Sequence, residues 1–405
     1  MNIIFLSPNF PLHFHNFCSR LKNLGANVLA IGDCPYDALT QEVKNSVTEY
    51  YYVGSLEDYE AVLRATAYYI SRYGRIDYVE SQNEYWLETE ARLREDFNVA
   101  NGWRPKELER VKLKSKMKEG YRKAKIKTAR FTRLDSLENA QEFAVKVGFP
   151  IIIKPDNGVG ASDTYRIDAA EQLEQLFGSR RLHTDKSYII EEFVPGHIET
   201  FDGITTPSGE VVFFTGQVMA VTPLDMLNGV GENISYTQPV ERIADLREAG
   251  LRAVKAFGVK GRFFHFEFFR LDADKKGLGK KGDIIGLEVN MRAPGGYIPD
   301  KMNYAYDVDV YKIWAEALLL GENRSFPDYK FRRYATHFGR GAGVAYTFSS
   351  DEIRKIFSEK ILIERIPPKS ISGGMGAQVF ILKADTPEEL KKQSEIILQH
   401  DSDKR

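Results

Sequence analysis

Polar side chains alternate along the segment LEVNMRAPGG at residues 287–296. Strand periodicity places Glu288, Asn290 and Arg292 on one face, with apolar residues between them on the other. Glu267 lies in the preceding aromatic strand FFHFEFF, and the hydrophilic loop between the strands predicts an antiparallel pair with the two carboxylates side by side. Such carboxylates repel unless a cation lies between them, and Mg²⁺ takes oxygen ligands of these types. Arg292 could clamp a phosphate or carboxylate. The alternative interpretation is a polar face turned to solvent.

A second group of residues could bind phosphate. The apolar strand FPIIIKP contains Lys154 at its end and is followed by the turn DNGVGAS. Gly158 and Gly160 let backbone amides approach an anion closely, and Ser162 adds a hydroxyl. The turn lacks the G-x-x-x-x-G-K-[ST] pattern of a P-loop, so an ordinary hairpin remains the competing interpretation.

The segment IIEEFVPG offers backbone groups at the end of another strand. Glu191, Glu192 and Val194 can present backbone C=O and N–H groups to the edge of an adenine ring. Glu199, which follows the Pro-Gly turn, could hold ribose hydroxyls. Taken alone, the segment is only a strand that runs into a turn.

These residues need a scaffold, and the sequence predicts an α/β one. Strand-like NIIFLS, ANVLAIGD and IDYVES alternate with helix-like FCSRLKNLG and SLEDYEAVLRATAYYISRYG, which favours a parallel α/β layer at the N-terminus. No G-x-G-x-x-G follows the first strand, so we expect no nicotinamide or flavin cofactor. The later helix ELERVKLKSKMKEGYRKAKI is strongly basic, which is typical of a solvated helix face. Farther on, HIETFDGITTP and GEVVFFTGQVMAV are predicted as two strands of a hairpin.

Composition limits the classes of function. The chain has 405 residues and a formal net charge of −1, so it has no general attraction for nucleic acid or an anionic membrane surface. Its two cysteines, Cys18 and Cys34, are too few for a disulfide framework or a four-ligand zinc site. The N-terminus lacks the features of a signal peptide, and no apolar run approaches about 18 residues. We therefore expect a cytoplasmic protein with reduced thiols and no transmembrane helix.

The order of these segments resembles that of the ATP-grasp superfamily. K-x-x-M at Lys114 and Met117, FPIIIKP, the glycine turn, IIEEFVPG-x-x-E, FHFEF and LEVNMRAPGG follow one another with similar spacing. The resemblance is strong from Lys114 to Gly296. It extends over the whole chain, because the N-terminal layer resembles the domain that precedes the grasp fold. The C-terminal GGMGAQVFILKADTPEEL resembles the closing segment of the group that contains L-amino-acid ligases and carbamoyl-phosphate-synthetase-like proteins.

The resemblance implies an α/β fold in three parts. A parallel α/β pre-ATP-grasp domain is expected at residues 1–110, a small ATP-grasp lobe with a glycine-rich lid at 111–190, and a large lobe with the metal site and the C-terminal segment at 191–405. The implied nucleotide is ATP, and the implied metal is Mg²⁺, with Mn²⁺ as a substitute.

The resemblance also assigns roles to single residues. Arg292 matches the arginine that faces the acylphosphate, and Met291 departs from the family in standing where proline is common. The residues that match the metal ligands are Glu267, Glu288 and Asn290. The residues that match the ATP-binding positions are Lys114, Lys154, Gly158, Gly160, Ser162, Glu191, Glu192, Val194 and Glu199.

The reaction implied by the resemblance has two steps. A carboxylate attacks the γ-phosphate of ATP, and an amine then attacks the acylphosphate to give an amide, ADP and phosphate. Carbamoyl-phosphate synthetase large subunits resemble two fused copies of the unit, whereas this chain has one, and it lacks the His-Gly-His-Ala-Ile-Glu segment of biotin carboxylases. A stand-alone carboxylate–amine ligase is therefore expected. An enzyme of the carboxylase or carbamoyl-phosphate type that acts on bicarbonate, and a non-catalytic nucleotide-binding or scaffold subunit, stay open.

Substrate residues are predicted near the same strands. We expect a small carboxylate and an amine as partners, and neither nucleic acid nor membrane; a homodimer stays open. His13 and His15 have the spacing of metal ligands, but a turn at the start of a helix is favoured. For the histidines among the substrate candidates, a structural role in the core is an equal alternative. The candidates are Glu84, His265, Gly295, Gly296, Tyr297 and His337.

Overall fold

The computed structural model of the 405-residue chain describes residues 1–158, 163–179, 181–183, 185–221, 233–367, 372 and 374–400. Its strands, in the described ranges, form one parallel sheet near the N-terminus and two antiparallel sheets that follow it. The α/β fold class expected from the sequence is therefore confirmed. Among the described residues, no helix is both long enough and apolar enough to cross a membrane.

The N-terminal layer alternates strands and helices, as predicted. Its parallel sheet has the order β3-β2-β1-β4 in the part of the chain that the structure describes. The edge strand β3 was not predicted, because its sequence EYYY has no apolar alternation and only partly buried side chains. The elements are β1 Asn2–Leu6, α1 His15–Asn23, β2 Asn27–Gly32, α2 Gln41–Ser46, β3 Glu49–Tyr52, α3 Tyr59–Tyr73, β4 Tyr78–Glu80 and α4 Leu87–Asp96.

Two consecutive helices connect this layer to the rest of the molecule. They are α5, Pro105–Lys112, which begins with proline in its first turn, and α6, Lys114–Lys123. Their apolar faces belong to the core of the large sheet, where Met117 and Tyr121 pack with Phe266 and Phe268. The expected small lobe at 111–190 included α6, whereas the structure packs this helix against the large sheet. The domain boundaries stay predictions.

The small lobe is an antiparallel sheet covered by two helices. The order of its strands among the described residues is β5-β8-β6-β7. The apolar run in FPIIIKP is buried against both helices, with Ile151 and Ile153 in one core with Ala140 and Leu173. The elements are β5 Phe131–Arg133, α7 Leu137–Val147, β6 Ile151–Pro155, β7 Tyr165–Ile167, α8 Ala170–Gly178 and β8 Tyr188–Glu192.

The large lobe is built on a long antiparallel sheet. Within the described ranges its order is β13-β12-β9-β10-β11-β14-β16-β15. The strands are β9 Gly196–Thr205, β10 Val211–Met219, β11 Asn233–Gln238, β12 Phe263–Leu271, β13 Ile284–Asn290, β14 Tyr334–Arg340, β15 Ile361–Arg365 and β16 Gln378–Ala384. The helices are α9 Ala244–Phe257, α10 Ile298–Tyr306, α11 Val310–Leu320, α12 Ser350–Phe357 and α13 Pro387–Ile397.

The alternation of β12 separates the two faces of this sheet. Phe264, Phe266 and Phe268 pack against α6 and α9 on one face. The opposite face receives the side chains of His265 and Glu267, since successive residues of a strand point to opposite sides. The aromatic residues around Glu267 therefore form the back of the sheet, and the polar residues between them form its front.

Candidate functional site

The two carboxylates that the sequence pairs are paired in the structure. Strands β12 and β13 are antiparallel, with Glu267 directly opposite Glu288 and His265 directly opposite Asn290. The predicted strand pair is confirmed. The four side chains share one face of the sheet because directly opposed residues point to the same side.

Tyr121, on α6, ties the backbones of the two strands together. Its buried hydroxyl lies 3.0 Å from the carbonyl oxygen of Glu267 and 2.8 Å from that of Glu288. The ring passes so close to Gly286 that a Cβ there would lie 2.6 Å from it. The helix and the strand pair thus form one unit, which fixes the spacing of the two carboxylates.

The charges on this face suit a divalent cation. Burial raises the pKa of the Glu288 carboxyl; Lys114 opposes this, and the facing Glu267 adds to it. A cation between the two carboxylates would remove their repulsion, and two carboxylate oxygens with the amide oxygen of Asn290 form the oxygen set that Mg²⁺ takes. Among the described residues, no three His, Cys, Asp or Glu side chains are arranged to hold a metal. The remaining ligands would be phosphate oxygens and water, which is usual for Mg²⁺.

His265 links a candidate metal ligand to a buried aspartate. One ring nitrogen lies 2.5 Å from Oδ1 of Asp202, and the other lies 3.0 Å from Oε1 of Glu267. Burial lowers the pKa of His265, but the two carboxylates outweigh it and raise that pKa to about 9. The imidazolium therefore holds the Glu267 side chain in place. This positioning role is more specific than the substrate contact or the structural role in the core that was predicted for His265.

The two predicted phosphate lysines come from different elements, Lys114 from the start of α6 and Lys154 from β6. Lys114 donates to the carbonyl oxygen of Gly158 at 2.7 Å and lies 3.7 Å from Oε2 of Glu288. Lys154 pairs with Glu191 at 2.8 Å, and Lys118 pairs with the same carboxylate at 2.7 Å. Burial raises the pKa of Glu191, but the two lysines outweigh it and lower that pKa to about 2. One buried carboxylate between two lysines leaves a net positive charge.

The predicted glycine-rich lid falls among the described residues only at its start. Gly158 lines the cavity, and its carbonyl oxygen accepts from Lys114. Gly160 and Ser162 lie outside the described residues, and their predicted phosphate contacts stay predictions.

Residues 192–196 connect β8 of the small lobe to β9 of the large lobe, and we call this segment the hinge. It carries the adenine contacts predicted for Glu192 and Val194. The Glu192 carboxylate accepts from the backbone N–H and the guanidinium of Arg130, at 2.7 and 2.6 Å, so this side chain fixes the hinge. The Val194 amide has no hydrogen-bond partner within the described part of the chain, and Val194 lines the cavity. A free N–H at this point suits an adenine ring nitrogen.

Glu199 is placed away from these residues. Its register partner is Phe268, so its side chain lies on the back of the sheet, opposite to Glu267. There its carboxylate pairs with Arg270 at 2.7 Å and with His197 at 3.5 Å. The predicted ribose contact would require Glu199 to leave Arg270.

Arg292 is held from the N-terminal layer. Its Nε lies 3.4 Å from Oε2 of Glu84, and its Nη2 lies 3.4 Å from Oδ1 of Asn290. The loop that follows is held there too, because the Ala293 amide donates to the side-chain oxygen of Gln82 at 3.0 Å. Glu84 thus reaches the site through Arg292 and is not itself on the cavity wall.

One cavity of about 530 Å³ joins the small lobe, the strand pair and α10. Of the predicted residues that the structure describes, it leaves out Glu84 and Glu199. His15 begins α1, and His13 lies in the turn before it. The predicted residues on the cavity wall are Lys114, Lys154, Gly158, Glu191, Glu192, Val194, His265, Glu267, Glu288, Asn290, Arg292, Gly295, Gly296, Tyr297 and His337.

Sequence reasoning missed three buried charged residues of the site. Lys118 lies one helical turn after Lys114, and that spacing in the basic helix was a usable signal. Asp202, on β9, and Lys301, on α10, gave no signal, because single charged residues in such elements normally face solvent. Lys301 is 1% exposed and lies on the cavity wall.

The chain is similar to known proteins in sequence and in fold. Residues 110–292 match the family model of the carbamoyl-phosphate synthase L chain, ATP binding domain. The chain is 24% identical over 259 residues to the L-arginine-specific L-amino acid ligase of Bacillus subtilis. It is 22% identical over 161 residues to the carbamoyl phosphate synthase large chain of Thermoanaerobacter pseudethanolicus. The matched segment in the family model contains both lysines and the whole strand pair.

These matches cover different shares of each protein. The match to the Bacillus subtilis ligase covers 62% of this chain and 60% of the ligase. The match to the synthase large chain covers 39% of this chain and 14% of the synthase. Among solved structures, the L-amino acid ligase from Bacillus licheniformis is similar, with a TM-score of 0.72 and 16% identity. That likeness covers 98% of this chain and 96% of the other, so the fold is shared from the N-terminal layer onward.

Proposed function

We propose that this chain, which belongs to the ATP-grasp superfamily, is a ligase that joins a carboxylate to an amine and releases ADP and phosphate. The observation that carries the proposal is the facing pair Glu267 and Glu288, with Asn290 beside it, directly next to Lys114. This arrangement suits a polyphosphate whose terminal groups are held by metal and lysine together.

In the first step, an oxygen of the carboxylate substrate attacks the γ-phosphorus of ATP, and ADP leaves. Lys114 and Lys154 supply positive charge at the phosphates, and the Val194 amide and the hinge fixed by Glu192 orient the adenine. Mg²⁺, held by Glu267, Glu288 and Asn290, would neutralise charge on the β- and γ-phosphates. The product of the step is an acylphosphate.

In the second step, the amine nitrogen attacks the acyl carbon. The C–N bond forms, phosphate leaves with the electrons of the C–O bond, and the nitrogen loses a proton to solvent. Arg292 lies two residues beyond Asn290, just past the end of β13, and lines the cavity beside it. We propose that its guanidinium stabilises the charge that develops on the acylphosphate oxygens. Glu84 and Asn290 hold Arg292 in that place.

We further propose that the substrates are small molecules and that the protein works in the cytoplasm. A cavity of about 530 Å³ is in the usual range for sites of nucleotides and other small ligands. Both cysteines, Cys18 and Cys34, are free, as in a reducing compartment. A homodimer and the lack of nucleic-acid binding stay predictions.

The test is a screen for phosphate release from MgATP over carboxylates paired with amines, with bicarbonate included and the joined product identified by mass spectrometry. We expect phosphate release that requires both a carboxylate and an amine, with an amide as product. Turnover on bicarbonate alone would contradict the proposal and favour a carboxylase-type enzyme.

A matched pair of variants locates the activity in this site. Glu288→Gln keeps the side-chain shape and removes a metal-binding charge, so it should fold and lose turnover. Lys116→Met changes a partly exposed residue of α6 that pairs only with Glu119 among the described residues, and it should leave turnover unchanged. Full activity of Glu288→Gln at limiting Mg²⁺ would remove the strand pair from the reaction.

A further inference from the structure

The cavity continues past the strand pair into a part that the proposed reaction does not use. We call this part the distal pocket. It lies between α10 and strands β11 and β14. Its wall includes Asn233, Ser235, Tyr297, Lys301, His337 and Met375.

Strand register places the distal pocket on the same face as the metal carboxylates. Phe269, Ile198, Met219, Ser235 and His337 are paired in one row across five strands, and all five line the cavity. The row starts on β12, the strand of Glu267, and Ser235 lies three strands farther on. At about 4.8 Å per strand this is about 14 Å, which is room for a small substrate between the metal face and the pocket.

Lys301 is the charged residue of this pocket. Its Nζ donates to Oγ of Ser235 at 2.8 Å and to the carbonyl oxygen of the same residue at 3.2 Å. It is 1% exposed, and within the described ranges no carboxylate lies at ion-pair distance from it. Asp202, the acidic group that acts on it from farther away, is already paired with His265 at 2.5 Å.

A buried ammonium without an anion is unfavourable. Burial lowers the pKa of Lys301 to about 7, with Asp202 opposing that shift. The cost of burying the charge would be offset by an anion that enters the cavity and contacts Nζ.

His337 does not supply a competing charge. Burial and the nearby Lys301 lower its pKa to about 3, so the ring is neutral at ordinary pH. One ring nitrogen lies 3.1 Å from the carbonyl oxygen of Met375, so it carries the proton and donates there. The other nitrogen is then an acceptor. The positive charge that the pocket can offer an anionic ligand is therefore that of protonated Lys301.

We propose that Lys301 binds a substrate carboxylate that is not activated during the reaction. The proposal rests on the proposed ligase function and narrows its substrate class. The carboxylate belongs either to the amine substrate, which is then an amino acid, or to the carboxylate substrate, which is then a dicarboxylate. In both cases Lys301 sets specificity from the far end of the cavity, while the strand pair and Arg292 act on the reacting groups.

The experiment compares each carboxylate ligand with the derivative in which the carboxylate is replaced by an uncharged carboxamide. The twenty common L-amino acids are assayed as free acids and as α-carboxamides, and dicarboxylates are assayed against their monoamides. In the wild-type protein the free acid should be preferred in one of the two series, and that series identifies the source of the carboxylate. In Lys301→Met the KM for that acid should rise about 10- to 150-fold, the range for a hydrogen bond to a charged group. Its kcat and the KM for ATP should stay within about threefold.

Two controls separate a specificity role from a structural one. Lys301→Arg retains the charge and should recover part of the preference, whereas Lys116→Met should behave as wild type. An equal preference for acid and amide in the wild type, or an unchanged preference in Lys301→Met, would overturn the assignment.

The failure of this proposal and that of the ligase function can be told apart. Calorimetry of the same acids with wild-type and Lys301→Met protein, each in the presence of MgADP, needs no turnover. Binding that Lys301→Met weakens supports the pocket even if no amide is formed. Equal binding to both proteins, or binding of no acid at all, contradicts it even if the ligase reaction is found.

Discussion

At the scale of single residues, the phosphate end of the site depends on a buried set of three charges. Lys154 and Lys118 share the Glu191 carboxylate, and all three side chains are almost inaccessible to solvent. The set has a net charge of +1, which is suited to a phosphate oxygen. Without Lys154, the remaining pair would be neutral, and the attraction for the nucleotide would fall.

Lys154→Ala is therefore expected to weaken the binding of a non-hydrolysable ATP analogue by about 2–3 kcal/mol, or about 30- to 150-fold. Isothermal titration calorimetry in the presence of Mg²⁺ measures this. Lys146→Ala, at an exposed position on α7 of the same lobe, is the matched control and should bind as wild type. Equal affinity in Lys154→Ala and the control would remove Lys154 from the site.

His265 makes the stability of the metal-free protein depend on pH. Its pKa is about 9 in the folded chain, against about 6.5 in the unfolded chain. Between pH 6.5 and pH 9 the folded state therefore carries more of this proton than the unfolded state does. The resulting stabilisation, about 3 kcal/mol, is complete below pH 6.5 and is lost as the pH rises through 9. The facing groups are Asp202 and Glu267.

Urea denaturation of wild type and His265→Gln between pH 6 and 10 tests this. The stability difference between the two proteins should shrink by about 3 kcal/mol as the pH rises. Parallel curves across that interval would show that folding does not raise the pKa of His265.

At the scale of elements, the end of β13 is positioned by a buried ionic cluster. Arg262 donates to the carbonyl oxygen of Met291 at 2.8 Å, directly before Arg292. Its guanidinium lies 3.5 Å from Glu90 and 3.9 Å from Glu80, and Arg94 pairs with Glu90 at 2.6 Å. These groups come from β4, α4 and the residue directly before β12, so the cluster joins the N-terminal layer to the strand pair.

Removing one member of a buried charge cluster leaves its partners uncompensated. Arg262→Met should lower the free energy of unfolding by about 3–5 kcal/mol. Arg324→Met, at an exposed arginine that pairs with Glu322, should change it by no more than about 0.5 kcal/mol. Chemical denaturation of both variants gives the comparison, and similar small losses in the two would contradict the importance of the cluster.

The sequence predicted the elements whose pattern is local. The β12–β13 pair follows from alternation and a hydrophilic loop, and with it the facing of Glu267 and Glu288. Three features could not be predicted, because each depends on contacts between residues far apart in the chain. They are the ion pair of Glu84 with Arg292, the burial of Lys301 and the cluster around Arg262. Charged residues in isolation are normally surface residues, and only the fold shows where they are buried.

At the scale of the whole molecule, the N-terminal layer is part of the site. Its sheet packs through Phe17 and Cys18 of α1 against Trp314 of α11, so the layer and the large lobe share one core. The same layer supplies Glu84, which holds Arg292. Because the N-terminal layer and the large lobe both contribute residues to the site, the site is complete only while they keep their relative position.

Glu84→Gln should lower kcat about 10- to 100-fold, since a small misplacement of a group that acts on the reacting atoms has effects of this size. The affinity for the ATP analogue should be unchanged. Glu88→Gln is the matched control, because it also removes a carboxylate near Lys112 but its side chain is 60% exposed. Loss of nucleotide affinity with unchanged kcat in Glu84→Gln would place this residue at the nucleotide instead.

The central claim, an acylphosphate formed from ATP at the strand pair, is tested most directly by trapping with hydroxylamine. The protein is incubated with MgATP, hydroxylamine and the carboxylate that the phosphate-release screen selects, and the hydroxamate and the nucleotides are quantified together. We predict a hydroxamate formed in equal amount to ADP, because two carboxylates and an amide beside Lys114 suit metals at the β- and γ-phosphates. Formation of AMP and pyrophosphate in the same assay would contradict the account.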